Sequence, residues 1–229
     1  MKALIHLVPR SVPASAAEQA RFEAALRETA EDLRGRGRSS GSSVHLMLRL
    51  SKDLFGPRTP YRAALEICGA PDRKASDRAF DDALWTGLGA QLADVARTDL
   101  STLLVGEDVT FIASQRAPVR YQYLMRRKAG YSHDAYLARY REIHSRFGLV
   151  TPGILGYVQF HVDPEASRRA AALAGLGVWD VDSVSELHLE SAEIFLGAIA
   201  SSPVGAEAIA DEEIFVDRAA SFDFCSAVE

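Results

Sequence analysis

Two cysteines, three methionines and two tryptophans are all that 229 residues hold of these types. Cys68 and Cys225 cannot build a disulfide framework, which fits a reducing compartment and gives a cytoplasmic expectation. No apolar run approaches the roughly 20 residues that span a bilayer. The short apolar start after Lys2 is broken by Pro9 and Arg10, unlike a secretory signal. A basic excess is missing too. Lys and Arg number 26 against 31 Asp and Glu, a formal charge of -5, so nothing marks a nucleic-acid or anionic-membrane partner. CxxC and HExxH spacings are absent, and no metal is expected. The glycines of GRGRSSGSS (35–43) lead into a strand and not a helix, so nucleotide binding has no support. What is present is 48% hydrophobic and 25% charged, enough to fill a sizeable soluble core.

The periodicities give an element order. Residues 2–8 read as a strand. Ser15 and Glu18 form a capping box before a helix over 16–34, where Phe22, Leu26, Ala30 and Leu33 recur at helical spacing. Residues 44–50 and 61–68 alternate as strands. Ser76 caps a predicted helix over 77–98, residues 101–106 are ambiguous, and 109–114 reads as a strand. The second half repeats this order. A strand over 119–127 leads to a helix from Ser132 to Arg146, and a strand follows over 154–162. Residues 163–182 look loose. Next come a strand over 184–189, a helix from Ser191 with a short restart at Pro203, and a closing strand over 213–218.

Two successive βαββαβ runs are the pattern of ferredoxin-like units. The predicted fold is α+β. Tandem ferredoxin-like units, residues 1–117 and 118–229, pack sheet to sheet as an α+β barrel within one chain, an intrachain pseudo-dimer to which a homodimer could be added. Each unit places both helices on one sheet face, leaving the other face to be covered.

The stretch 119–162 carries most of the message. Tyr123-Leu124, Arg126-Arg127, Gly130, Ser132-His133, Tyr136, Tyr140 and His144 lead into Pro152-Gly153-Ile154 and Gly156-Tyr157-Val158-Gln159. Glu186-Leu187, Asp211-Glu212 and Phe215-Val216-Asp217 continue the set. In these residues the second half resembles the EthD family of the dimeric α+β barrel superfamily. The first half resembles it only in element order and reads as a degenerate copy with no counterpart of His144. The resemblance implies a small apolar or aromatic organic ligand and, as a rule, no bound cofactor. It also implies a site role for His144. The other reading of His144 is a helix-end histidine interacting with free carbonyls.

Strand phase selects further candidates. If the wholly apolar parity packs on helices, the mixed parity faces the lumen. That set is Tyr157, Gln159, His161, Glu186 and His188, with His45, Met47, Arg49, Glu66 and Cys68 from the first half. Inward carboxylates beside His or Arg serve either as acid–base groups or as ion pairs that hold register. The candidate acid–base residues are His144 and His161. The candidate substrate contacts are Tyr123, Tyr140, Tyr157, Gln159, Glu186, His188, His45, Arg49 and Glu66. His161, Glu186 and His188 make a possible two-His-one-carboxylate set, but strand neighbours at this spacing are common by chance and no metal is expected there. His133 is expected to be exposed and His6 to be packing. Three functions follow: His-based acid–base enzyme (lyase, isomerase or metal-free oxygenase), non-catalytic binding protein, and solid structural barrel.

Overall fold

The computed structural model describes residues 1–11, 14–37, 41–53, 55, 59–69, 80–114 and 117–229. Eight strands close into one barrel: β1 (Lys2–Leu7), β2 (Ser43–Arg49), β3 (Ala63–Cys68), β4 (Thr102–Ile112), β5 (Val119–Met125), β6 (Gly156–Val162), β7 (Ser183–Leu189) and β8 (Phe222–Val228). Around the barrel they run β1-β3-β2-β8-β5-β7-β6-β4, every neighbour antiparallel. The first four strands form the run β4-β1-β3-β2 and the last four form β8-β5-β7-β6. Both halves therefore share one strand order, that of a ferredoxin-like sheet. Their edges are hydrogen-bonded as well as facing: β2 meets β8 from Met47↔Val228 to Arg49↔Ser226, and β4 meets β6 from Gly106↔Val162 onward. Closure removes the exposed sheet edges that separate units would present.

At the β4–β6 seam the backbones come very close. A Cβ on Gly106 would lie 2.0 Å from the His161 carbonyl oxygen, so only glycine fits. Helix α1 (Ala16–Gly37) starts at the expected capping box, with the Glu18 N–H donating to Ser15 Oγ at 3.2 Å and the Ser15 N–H to Glu18 Oε2 at 2.8 Å. Its Phe22, Leu26, Ala30 and Leu33 bury against Ala3, Ile5, Leu7, Leu46 and Leu65 on the outer face of the first sheet. The short helix α2 (Leu88–Leu92) adds to that layer, as do Ala170, Ala171 and Ala174 from further along the chain.

Several expectations are corrected here. The predicted cap Ser76 and the start of its helix lie outside the described residues; beyond them are a 3-10 turn (Asp82–Leu84) and α2, not a continuous helix. The ambiguous stretch 101–106 and the strand over 109–114 are one long strand, β4, which must reach both β1 and β6. The loose segment 163–182 contains helix α5 (Pro164–Ala174), capped by Asp163 Oδ1 accepting from the Glu165 and Ala166 N–H groups and ended by Gly175 at φ +68°. Its buried face is Ala170, Ala171 and Ala174, too small to register as an apolar stripe. The predicted closing strand over 213–218 is instead the end of a helix, and the supposed tail is β8. No single helix is long and apolar enough to cross a membrane among the described residues.

Candidate functional site

Strand alternation divides the side chains between a lumen and an outer, helix-covered face. The lumen packs Leu4, Met47, Ala64, Leu104, Leu124, Phe160, Val184 and Phe224 around Tyr61. Toward one end it turns ionic. Lys2 Nζ lies 2.5 Å from Glu186, 2.8 Å from Asp108 and 3.4 Å from Glu66, while Arg120 stands 3.3 Å from both Glu66 and Glu186. Gln122 donates to Glu186 Oε1 at 2.6 Å and its own oxygen lies 2.9 Å from His6 Nε2. Burial holds His6 down at about 4, with Gln122 opposing. Burial lifts Asp108 to about 6 even with Lys2 beside it. For Glu186 burial acts upward, but Lys2 and Arg120 outweigh it and hold the carboxylate low. These cross-half pairs fit the register-holding reading of inward charge.

Of the residues expected in the lumen, Glu66 and Glu186 belong to this network. His45 lies opposite Glu66 in the β2–β3 register, and His188 opposite Arg120, with burial pushing His188 down to about 4. Arg49 does not join them; it turns to Asp53 at 2.8 Å. For β6 the expected phase is reversed. Phe160 and Val162 fill the lumen, whereas Tyr157, Gln159 and His161 face the helices. β6 is buried on both sides, so hydrophobicity could not tell inside from outside. His161, Glu186 and His188 are thereby split between faces. Among the described residues no group of three or more His, Cys, Asp or Glu side chains is arranged to hold a metal ion. His133 is half-buried, its ring nitrogens 2.8 Å from Asp182 and 3.0 Å from the Val162 carbonyl, not exposed as expected.

The outer face of the second sheet has a different chemistry. Helix α3 (His133–Arg139), capped by Ser132, runs into one π-helical turn (Tyr140–His144) and then α4 (Ser145–Val150). In the π turn the Ser145 N–H donates to the Tyr140 carbonyl, which also accepts from Gln159 Nε2 at 3.0 Å. Gln159 thus pins the wide turn to β6; such turns recur at functional sites. A Cβ on Gly148 would lie 2.3 Å from the Tyr157 ring, so its absence lets α4 settle onto β6. The result aligns buried Tyr136, Tyr140 and His144 over the sheet, with Tyr136 Oη 2.7 Å from Ser183 Oγ.

Helices α6 (Ala192–Ala200) and α7 (Val204–Phe215) close this layer, and α7 delivers Asp211 and Glu212. Asp211 Oδ2 lies 2.9 Å from His144 Nδ1, and its other oxygen accepts from Arg139. A carboxylate on Nδ1 fixes the proton there and leaves Nε2 with a free lone pair. Nε2 stands 3.9 Å from Glu212 Oε1. Burial lowers the His144 pKa, with Asp211 opposing. Burial raises Glu212 to about 7, only partly countered by Arg218 at 2.8 Å. Next to these, Tyr121 donates a hydrogen bond to Asp223, and burial pushes the Tyr121 and Tyr123 phenols upward. A neutral imidazole with a directed lone pair thus stands beside a carboxyl that is half protonated near neutrality, which is a proton acceptor and donor side by side.

His144, Tyr123, Tyr140, Tyr157, Gln159 and His161 therefore gather on this face, apart from Glu66, Glu186, His188, His45 and Arg49. As members of a site, Asp211, Glu212, Tyr121, Asp223 and Arg218 were missed. The Asp211-Glu212 pair does figure in the family resemblance, and the helix expected to restart at Pro203 is α7, but the strand predicted from 213 cuts it short.

Residues 128–219 match the EthD domain. Among solved structures, an anthrone oxidase-like protein superposes with a TM-score of 0.61 at 11% identity, covering 100% of this chain and 90% of its own. A candidate monooxygenase from Lactobacillus acidophilus NCFM gives 0.51 at 12% identity, with 99% and 92% covered. A mutant chlorite dismutase from Candidatus Nitrospira defluvii gives 0.50 at 12% identity, with 99% and 91% covered. At such identities the likeness is one of fold. No curated protein sequence matches the chain.

Proposed function

For a chain whose residues 128–219 form an EthD domain, we propose acid–base transformation of a small aromatic or apolar organic molecule beneath the helices of the C-terminal half. The observation that carries this is the Asp211–His144 pair with Glu212 placed 3.9 Å from the imidazole's free nitrogen. His144 Nε2 takes a proton from carbon or oxygen of the substrate. Asp211 fixes the tautomer and stabilises the imidazolium that forms. Glu212, raised to about 7, returns a proton to the product or leaving group. Tyr121 and Tyr123 offer ring faces and hydroxyls to orient the substrate. Dehydration, isomerisation and decarboxylation use this proton traffic; oxygenation of a substrate carbanion by dioxygen begins with the same abstraction.

The test has two steps. Small molecules retained by the protein purified from its native host are identified by mass spectrometry, and turnover of the identified compound is measured for wild type, H144A and D211N. H144A should lose at least about a hundredfold in kcat, the usual scale for a general base. The wild-type kcat/KM should fall on the acid side below 6.5, as His144 protonates, and on the basic side above about 7, as Glu212 ionises. Unchanged turnover in H144A sinks the mechanism. A retained compound that wild type never converts supports the binding-only function instead.

A further inference from the structure

Tyr136, Tyr140, His144 and Gly148 follow one another at intervals of four residues along α3, the π turn and α4. In an unbroken α-helix each residue turns by about 100°, so this spacing drifts by about 40° per step and by roughly 120° from Tyr136 to Gly148. The last members of the series would then leave the sheet. They do not: Tyr136, Tyr140 and His144 are all buried, and a Cβ on Gly148 would meet the Tyr157 ring of β6 at 2.3 Å. The π turn removes the drift. Its Ser145 N–H reaches back five residues to the Tyr140 carbonyl, so the turn holds one residue more than an α turn and takes back roughly 100°.

The target of that rotation is fixed from elsewhere. Asp211 shares α7 with Phe215, whose ring lies 5.3 Å from Tyr136, 6.4 Å from Tyr140 and 5.4 Å from His144. Were the same sequence plain α-helix here, His144 would swing by roughly 100° relative to Tyr136, and its Nδ1 would leave Asp211 Oδ2, now 2.9 Å away. π turns are rare, so this one needs support. Gln159, fully buried on β6, supplies it with its whole amide. One N–H goes to the Tyr140 carbonyl at 3.0 Å and the other to Tyr157 Oη at 2.7 Å, while the oxygen lies 3.1 Å from His161 Nε2. A flipped amide would set its oxygen against the Tyr140 carbonyl, so the orientation is fixed. β6 thus grips the turn at the carbonyl that defines it.

We infer that the π turn is the registration device of the C-terminal site, and that Gln159 is a positioning residue that aims His144 at Asp211 through the backbone of that turn. The inference rests on the site proposed above and deepens it. It has an unusual consequence. Removing Glu142, whose side chain is 63% exposed, would leave a plain α-helix with His144 seven residues after Tyr136. Seven residues turn by roughly 700°, nearly two full turns, which brings His144 back into line. In that shortened chain the aim of His144 no longer depends on Gln159.

The experiment follows the Nδ1 proton of His144 by NMR of the full chain, assigned by its loss in H144A, with D211A as the reference for an unbonded ring. Wild type should protect this proton from solvent exchange. Q159L should exchange it at least about tenfold faster, as the hydrogen bond to Asp211 opens. Deletion of Glu142 alone should keep the protection, and Q159L combined with the deletion should regain it. The double variant should still melt below wild type, because Tyr157 and His161 lack the amide in both backgrounds. A merely structural Gln159 would give a loss that the deletion does not repair, and that result overturns the inference. Protection retained in Q159L, or lost on deleting Glu142 alone, overturns it too and leaves the Asp211–His144 pair standing. If Q159L fails to fold, Q159N, an amide too short to reach the Tyr140 carbonyl, takes its place. Exchange in wild type as fast as in D211A overturns the pair itself and this inference with it.

Discussion

Replacing Lys2 by Met tests whether the lumen charges hold the two halves together. The thioether keeps a stem over Phe160, whose ring centre lies 5.2 Å from the ammonium in the native chain, so the change is chiefly one of charge. Lys2 is 3% exposed and serves three carboxylates. Without it, Arg120 is left with Glu66 and Glu186 at 3.3 Å. Removing one partner of a buried ion pair costs about 3–5 kcal/mol. Asp108 is one-third exposed and can turn toward water, which puts the expected loss near the lower end, about 3 kcal/mol. For a chain of this size that is roughly 6–12 °C in Tm. The pH dependence carries the sharper sign. Losing Lys2 removes what holds the folded-state pKa values of Glu186 and Asp108 down, so both rise. A carboxyl so raised supports the fold less as pH rises through its folded value, so the deficit of K2M should be smaller at pH 5 than at pH 8. Urea unfolding at both pH values measures it, and K2M combined with E186Q should be less damaged than K2M alone. A loss under about 1 kcal/mol, or an equal loss at both pH values, would refute the assignment of Lys2 as the central counter-charge.

Three further outcomes are expected. G106A places a methyl 2.0 Å from the His161 carbonyl at the β4–β6 seam and should cost about 3 kcal/mol or more, read as a lowered melting temperature; an unchanged melt would mean the seam yields freely. Buried His6, held at about 4 against an unfolded 6.5, lends stability that is present above 6.5 and lost as pH falls toward 4, up to about 3 kcal/mol. H6Q should flatten that acid limb of a stability–pH curve, and an unaltered limb would assign it to other groups. E212Q should stabilise the protein at pH 8 by as much as about 3 kcal/mol, because a carboxyl at about 7 disfavours the folded state as pH rises from 4.5 through 7. Equal stability of E212Q and wild type at pH 8 would show that Glu212 is not strained by its burial.

Much of the architecture could be read from the chain because its strands announce themselves. Val44, Leu46 and Leu48 against His45 and Met47 fix both the existence and the phase of β2, and β7 is equally plain in Leu187 and Leu189 against Glu186 and His188. Where a strand is buried on both faces, that logic fails. β6 offers Val158, Phe160 and Val162 to the lumen and Tyr157, Gln159 and His161 to the helices, and the apolar set was assigned to the wrong side. The helix over 164–174 hides behind alanine, although its Asp-Pro start and Gly end are local signals of a cap and a stop. The C-terminal error had larger consequences. Reading 213–218 as a strand follows from Ile214, Phe215 and Val216, β-prone in isolation. In the fold, Phe215 instead ends α7 against Tyr136 and Tyr140, and that helix is what turns Asp211 and Glu212 toward His144. Local propensity lost to tertiary packing at the place where the site's acids sit.

The two polar clusters share strands and differ in how well their charges are answered. On β5, Arg120 and Gln122 point into the lumen, where they meet Glu66 and Glu186. On the same strand, Tyr121 and Tyr123 point out, where Asp223 and Glu212 gather with the partly exposed Arg218, which donates to Glu212. Inside, the carboxylate of Glu186 is driven low by two cations and an amide, so it stays ionised and is inert to proton transfer near neutrality. Outside, Glu212 is left at about 7 and His144 below its ordinary value, two groups whose protons are exchangeable at working pH. In the lumen Asp108, lifted to about 6 by burial, also titrates near neutrality, but Lys2 at 2.8 Å answers its charge. A cluster whose acid is poised at neutrality is stabilised less than its residues allow, and that deficit supports the site proposed on the outer face of β5, beneath α7.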